Sequence, residues 1–359
     1  VYPEYILNVG NNALVSNGDG FFGHWIVDVM KQGGTKLIVL DPSCTWLASK
    51  AEYWLQVRPG TDAAVVIAML NTIIEEDLYD HDFVENWCYG FEELAERCKE
   101  YPAELAAEIS GVDAELIRQA ARAFAGANPG TIQWGLKVDQ TVCGIPLAQA
   151  LLSMGAICGD IDVPGGMMIP RCAYDIPDSY GCGMWNLSDE MLGKMLGVET
   201  SPLHALGFDP TANGDTVLNA IETGEPYPIK MLFIQSTNPI ANMGQDAPRL
   251  YRALKTIDFF VVEDLFITPT AVAFADLVIP CAMSNERDCI RVWFDPLRTL
   301  TKASDKPFYE AKSDEQIMIE LGHRIAPEKW PDFVQTDREY MDWRLMRDGV
   351  LDTDGTQMT

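Results

Sequence analysis

The sequence predicts an α/β chain of two doubly wound domains, each a mostly parallel sheet in a three-layer αβα arrangement. Two observations predict it. Short, β-branched apolar runs such as Lys36–Leu40 and Ile229–Ile234 alternate with longer helical periodicities. Such runs read as strands buried on both faces. Each run also stops at polar or breaker residues before the next helix begins, and both halves of the chain repeat this plan. The length of 359 residues suits two domains, and 48% hydrophobic residues can fill their cores.

The first domain is expected over residues 1–158. Tyr5–Val9 reads as a strand, and Gly10-Asn11-Asn12-Ala13 as the loop at its tip. A helix follows from about Phe22 to Lys31, ended by Gly33-Gly34. Lys36–Leu40 is the next strand. It stops at Asp41-Pro42, because proline cannot donate to a ladder. Trp54–Val57 is a third short run, ending in Arg58-Pro59-Gly60-Thr61-Asp62. Helical patterns then run from Ala63 to Leu78, Asp82 to Asn86, Phe91 to Tyr101, Pro102 to Ser110 and Ala114 to Ala125, the last capped by Asp113. Pro129–Gly135 reads as a strand running into a loop that holds Gln140 and Gly144, ahead of an apolar helix from Ile145 to Cys158.

Gly159–Gly166 is rich in breakers and marks the expected boundary, so the second domain covers residues 159–359. Its residues 167–216 show few periodic runs, the signature of a functional or partner-wrapping segment. Order returns with the strand Ile229–Ile234 and its tip Gln235–Pro239. A helix over Asp246–Lys255, the strand Asp258–Val262 with tip Glu263-Asp264, a helix over Thr268–Phe274 and the strand Ala275–Pro280 follow. The last clear helix spans Ser313–Arg324, and residues 352–359 form a polar tail.

Parallel sheets bind ligands at their carboxyl edge. Asp41 to Thr45 and Gly60 to Asp62 should reach one such edge together. Glycine lets a ligand approach the backbone, and an Asn amide can read a base or sugar. The same residues also suit plain turns and helix caps, so both readings stand on chemistry alone. The net charge of −27 argues against nucleic acid and anionic membrane surfaces as partners. None of the nine cysteines lies at CxxC spacing, which favours scattered buried thiols over a zinc or iron–sulfur site. His24, His81, His204 and His323 sit in unrelated contexts. Of these, His204 alone falls in the long irregular segment, and Met184, Met191 and Met195 suit gap filling. No run approaches the ~20 apolar residues of a membrane-spanning helix. The chain opens almost inside a strand, as expected of a piece of a longer polypeptide.

Taken together, the tips resemble those of the molybdopterin oxidoreductases of the dimethyl-sulfoxide-reductase and formate-dehydrogenase type. The residues that carry the resemblance are Gly10-Asn11-Asn12, Asp41-Pro42 with Thr45, Arg58–Asp62, Trp134-Gly135 with Gln140, Gly159–Gly166, Thr237-Asn238-Pro239, Thr268–Pro280 and Ser313-Asp314, in family order. The resemblance implies a bis(molybdopterin guanine dinucleotide) cofactor with molybdenum or tungsten in the intact protein. Gly10, Asn12, Asp41, Thr45, Gly60, Thr61 and Asp62 would line one nucleotide site. Asn238, Glu263, Asp264 and Asp314 would line the other, with Trp134 and Gln140 nearer the pterin. The chemistry fits: guanine N–H groups want a carboxylate, ribose hydroxyls want Asp, Glu or Asn, and pyrophosphate wants main-chain N–H groups.

The family's iron–sulfur cysteines and metal ligand would lie upstream of Val1, and its closing barrel beyond Thr359. The 359 residues are thus expected to be inactive alone, with the rest of the polypeptide as first partner and an electron-transfer iron–sulfur subunit as a second. No nucleic acid or direct membrane insertion is expected. The family's Glu–x–x–Gly–Thr stretch corresponds to Glu286–Ile290, without its Gly-Thr. The alternative is a non-catalytic relative, of the large respiratory-subunit type, that keeps the fold without the metal. Its loss of ligand would leave buried carboxylates such as Asp41, Asp62, Asp264 and Asp314 without partners, which is costly. The substrate and the compartment are not legible.

Overall fold

The apolar runs form strands, and the strands form two parallel sheets. The computed structural model describes residues 1–16, 21–169, 188–202, 211–242, 246–292, 298–347 and 355–356. Chain contacts separate two units, Val1–Ile169 and Pro170–Thr359.

Unit 1 contains β1 (Tyr5–Val9), β2 (Lys36–Leu40), β3 (Tyr53–Leu55) and β4 (Gly130–Trp134). Their order is β3-β2-β1-β4, with Val9 opposite both Leu40 and Trp134. Helices α1 (Ala13–Ser16) and α2 (Phe21–Asp28) follow β1. Between β3 and β4 come α3 (Asp62–Glu75), α4 (His81–Trp87), α5 (Phe91–Cys98), α6 (Ala103–Ser110) and α7 (Ala114–Ala125). Short α8 (Leu136–Asp139) and long α9 (Gly144–Ile157) follow β4. Strand alternation sends Leu7, Val9, Ile38, Leu40 and Leu55 toward Met69, Phe124 and Leu151 of α3, α7 and α9. Ile6, Leu37 and Val39 face the other way, onto Ile26 of α2 and Leu47. The sheet is thus covered on both sides, as its β-branched runs require.

Several element ends differ from expectation, α5 stopping at Cys98 rather than Tyr101 among them, and three ends have a visible local cause. β3 stops at Leu55 because the chain then peels off, and Arg58 N donates to Ser110 O (2.9 Å). α3 stops at Glu75 because Leu78 N returns to Ile73 O (2.9 Å) past Asp77 at φ 58°, closing the helix early. α2 ends at Asp28 and passes into a π-helical turn, Val29–Gly33. The breaker-rich stretch from Gly159 folds back onto unit 1: Asp160 accepts from Gly130 N (2.9 Å), and its carbonyl from Met167 N (2.7 Å).

Unit 2 begins, among described residues, with α10 (Asp189–Leu192) and α11 (Gly214–Thr223). Much of the segment expected to be irregular, His204 and Met184 included, lies outside the described residues. Then come β5 (Met231–Gln235), α12 (Pro239–Asn242), α13 (Ala247–Leu254), β6 (Phe259–Asp264), α14 (Pro269–Phe274) and β7 (Leu277–Pro280). The sheet order is β5-β6-β7, all parallel. Leu232, Ile234, Phe260, Val262 and Val278 pack on Leu218, Leu250, Leu254 and Phe274 of the helices. Several elements were not expected: α10, α11, α12, the antiparallel hairpin β8 (Cys289–Val292) with β9 (Arg298–Thr301), and the last helix. α15 (Asp314–Ile325) is the expected one; α16 (Asp337–Arg347) mixes charged and apolar residues too raggedly to show a stripe.

Candidate functional site

Because each sheet is parallel, its loops of one kind share one edge. In unit 1 that edge collects Gly10–Asn12 after β1, Asp41–Thr45 after β2, Arg58–Asp62 after β3 and Gly135–Gln140 after β4. The loops are stitched together: Gly10 N donates to Leu40 O (3.0 Å), Asp41 N to Leu55 O (3.3 Å) and Gly135 N to Val9 O (3.2 Å). β1 lies between β2 and β4, so the strand order reverses beside it. That reversal is where an open α/β sheet forms its ligand crevice.

The individual side chains divide into braces and free groups. Asp41 is nearly buried, and its Oδ1 accepts from Ser43 N (2.8 Å). Thr45 accepts from Ala48 N (3.1 Å) and so caps the turn Ala48–Lys50. The Thr61 hydroxyl donates to Arg58 O (2.7 Å), and the Arg58 guanidinium in turn holds the carbonyls of Glu108 (3.0 Å) and Ile109 (3.1 Å). Gly60, at φ +88°, is exposed and has open space where a side chain would begin. The Oδ1 atom of Asn12 is buried without a hydrogen-bond partner. Trp134 is half-buried at the end of β4, and its carbonyl receives Asn11 Nδ2 (3.5 Å). Gln140 is exposed, one short helix beyond that tip.

Asp62 is placed differently from the other tips. It is 2% exposed and ion-paired with Lys137 Nζ from the start of α8. Neither Asp62 oxygen, nor the ammonium, makes a well-directed hydrogen bond. The Lys137 stem lies over Gly10, where a Cβ would come within 2.9 Å of the Lys137 Cβ. Gly10 itself is at φ +54°, in the region glycine occupies most readily.

In unit 2 the edge collects Ser236–Asn238 after β5, Glu263-Asp264 ending β6, and Cys281 after β7. A parallel bridge between Cys281 and Lys312 brings Ser313-Asp314, the start of α15, to the same edge. Asp314 accepts from Gln235 Nε2 (2.9 Å) and pairs with Arg287 (3.4 Å), which also pairs with Glu315 (2.7 Å). Asp264 Oδ1 accepts from Phe266 N (3.1 Å). Asn238 Oδ1 receives both the hydroxyl (2.6 Å) and the N–H (3.3 Å) of Thr270, locking α12 to α14. Ser236, at φ 50°, holds a left-handed backbone at the tip of β5.

Glu263 is fully buried, and neither carboxyl oxygen meets a donor. Burial first, and Asp314 beside it second, push its acid up to about 7. Held as the neutral acid, Glu263 can donate to Asp314, which gives a partner to a carboxyl that has none as a carboxylate. The Cys281 thiol is raised too, by burial and then by Asp314, Glu263 and Asp264. Among the described residues, no group of three His, Cys, Asp or Glu could hold a metal ion.

The sequence profile of the molybdopterin oxidoreductases matches residues 3–324. The chain belongs to the molybdopterin oxidoreductase family. Acetylene hydratase of Syntrophotalea acetylenica is 33% identical over 378 aligned positions, covering 95% of this chain and 50% of that protein. The F420-dependent formate dehydrogenase subunit alpha of Methanocaldococcus jannaschii is 33% identical over 82% of this chain and 44% of its own. The solved acetylene hydratase from Pelobacter acetylenicus superposes with a TM-score of 0.82 at 30% identity, over 99% of this chain and 51% of that one. This molybdopterin oxidoreductase chain therefore spans about half the length of the relatives it matches.

Three residues of these edges were not marked by the sequence. Lys137 and Arg287 find their carboxylates only through the tertiary fold. Asn8 of β1 is 1% exposed with both amide atoms unpartnered. Its one signal is a polar residue inside an otherwise apolar strand.

Proposed function

We propose that the two units are the dinucleotide-holding middle of a bis(molybdopterin guanine dinucleotide) enzyme containing molybdenum or tungsten, one sheet edge serving each guanosine half. The observation that carries this reading is the buried Asn12 Oδ1 left without a partner at the edge of unit 1, joined by the Glu263 carboxyl of unit 2, which has no donor as a carboxylate. Orphaned buried groups cost about 1–3 kcal/mol each, and a polar ligand relieves them. The residues fit such a group. Asp41, Thr45, Gly60 and Thr61, with Asn12, would hold one nucleotide, and Asn238, Asp264, Glu263 and Asp314 the other. Trp134 and Gln140 would lie nearer the pterin.

When bound, the cofactor supplies redox chemistry or oxygen-atom transfer at its metal. The chain's own work is to bind and orient. Asp264 keeps one carboxylate oxygen clear of its Phe266 turn for guanine N–H donors, and Gly60 leaves the backbone open to a ligand. In this reading these residues bind the dinucleotide, and turnover is a property of the intact enzyme. One observation favours a second reading of the reaction: the hydratase aligns with more of this chain than the formate dehydrogenase does, 95% against 82%. Addition of water to an unsaturated bond is then the alternative chemistry.

The test uses the full-length gene product. Acid hydrolysis should release guanine nucleotide, with molybdenum or tungsten in stoichiometric amount. Asp41→Ala combined with Asp264→Ala, one change per unit, should strip most of both. Retention of full metal and guanine content in that double variant would overturn the assignment.

A further inference from the structure

We infer that Lys137 is the anion-contacting residue of unit 1, held at the crevice by Asp62 and meeting the diphosphate of the bound dinucleotide. This rests on the dinucleotide reading above. Lys137 lies in the loop after β4, next to the loop after β1, at the reversal of strand order. The two loops meet backbone to backbone: a Cβ on Gly135 would fall 2.6 Å from Gly10 O. The crevice floor is therefore main chain, and the Lys137 stem crosses it over Gly10.

Four loops form this edge, and only two cations stand on them. Arg58 is committed to the carbonyls ending α6. Lys137 has Asp62 as its charge partner, and its three donors make no directed hydrogen bond. Asp62 is 2% exposed; the Lys137 side chain is 28% exposed along its stem, with its Nζ buried against the carboxylate. An anchored ammonium with donors to spare is a phosphate-binding group. The pair is neutral overall, and the chain carries −27. Long-range attraction therefore cannot draw an anionic diphosphate here, and local donors must hold it.

The rival role for Lys137 is a clasp that ties two loops and contacts no ligand. Calorimetric titration of the 359-residue chain with GDP and with guanosine separates the two, in an Asp264→Ala background that silences unit 2. Lys137→Met keeps the stem over Gly10 and removes the charge. It should weaken GDP about ten-fold, the scale of one charge-assisted hydrogen bond, and leave guanosine unchanged. The dependence of GDP affinity on salt should flatten, and Lys137→Arg should restore most of the loss. Asp62→Asn should weaken GDP in the same direction and add nothing to Lys137→Met. Equal losses for GDP and guanosine, or no loss for GDP, would leave a clasp only and overturn the inference while the dinucleotide reading stands. An unsubstituted Asp264 chain that binds neither ligand would remove the dinucleotide reading, and the inference with it.

Discussion

The edge of unit 1 carries glycine-bearing loops and a Lys137–Asp62 pair, whereas the edge of unit 2 carries three carboxyls, Glu263, Asp264 and Asp314, with Arg287 alongside. The topology that delivers them is the same. The difference lies in the polar groups that each edge presents. Open backbone and an ammonium favour phosphate oxygens; carboxyls favour base and ribose donors. The supporting sheets differ as well. Leu7, Ile38, Leu40 and Leu55 of unit 1 are fully buried, but on β5 only Ile234 is buried and Met231 is 51% exposed. Unit 1 is a sealed platform, and unit 2 leans on fewer contacts.

The largest test of that contrast pairs one substitution in each sheet. Leu7→Ala, on a fully buried strand covered by helices on both faces, should cost about 3–5 kcal/mol. Leu232→Ala, half-buried on β5, should cost about 1–2 kcal/mol. Chemical denaturation followed by hydrogen exchange in each unit measures both. Equal costs would mean that the two sheets are equally well packed and would remove the contrast.

The strands and their tips were legible because breakers punctuate apolar runs, and a parallel sheet then dictates which tips share an edge. Asp41, Gly60 and Asp264 followed from that rule; Asp314, at the start of a helix, was marked only by the family resemblance. What each tip touches was not legible. Asp62 looks like Asp41 in sequence, yet it is paired with a lysine 75 positions away, a pairing that only the meeting of α8 with the start of α3 creates. Asn238 reads as a ligand amide and spends its oxygen on Thr270. The hairpin β8–β9 was missed because its short runs flank residues of mixed character, and α16 because charges interrupt its apolar face.

A smaller effect separates the units by pH. Asp160 of unit 1 is 3% exposed, with one oxygen on Gly130 N; burial pushes its acid from 3.8 up to about 7. Glu263 of unit 2 rises from 4.5 to about 7, by burial and Asp314. Both acids hold a proton in the folded chain that the unfolded chain has released. Their stabilisation is therefore complete below pH 4, falls as pH rises from about 4 to 7, and is gone above 7. Unfolding midpoints should drop over that window. Asp160→Asn and Glu263→Gln should each flatten part of that slope. A profile rising with pH, or one unchanged in both variants, would contradict the assignments.

The finest distinction concerns how each unit staples its helices. In unit 1, Arg122 of α7 grips Glu76 through two hydrogen bonds (2.7 and 2.8 Å) and also reaches Glu115 (3.0 Å). In unit 2, Arg249 of α13 grips Glu222 (2.8 Å) and Asn219 of α11. Exposed pairs of this kind contribute little by themselves and are screened by salt. Their surroundings differ, however. α7 also buries Ile117, Ala120, Ala121 and Phe124, whereas α11 buries only Ala220 among its described residues. Arg249→Met should therefore speed hydrogen exchange in α11 at low salt, and Arg122→Met should leave α7 protected. Raising the salt should erase the first effect, since it removes the same attraction. Similar exchange in both variants would show that α11 is held by its apolar face after all, and that unit 2 leans on its surface charges no more than unit 1 does.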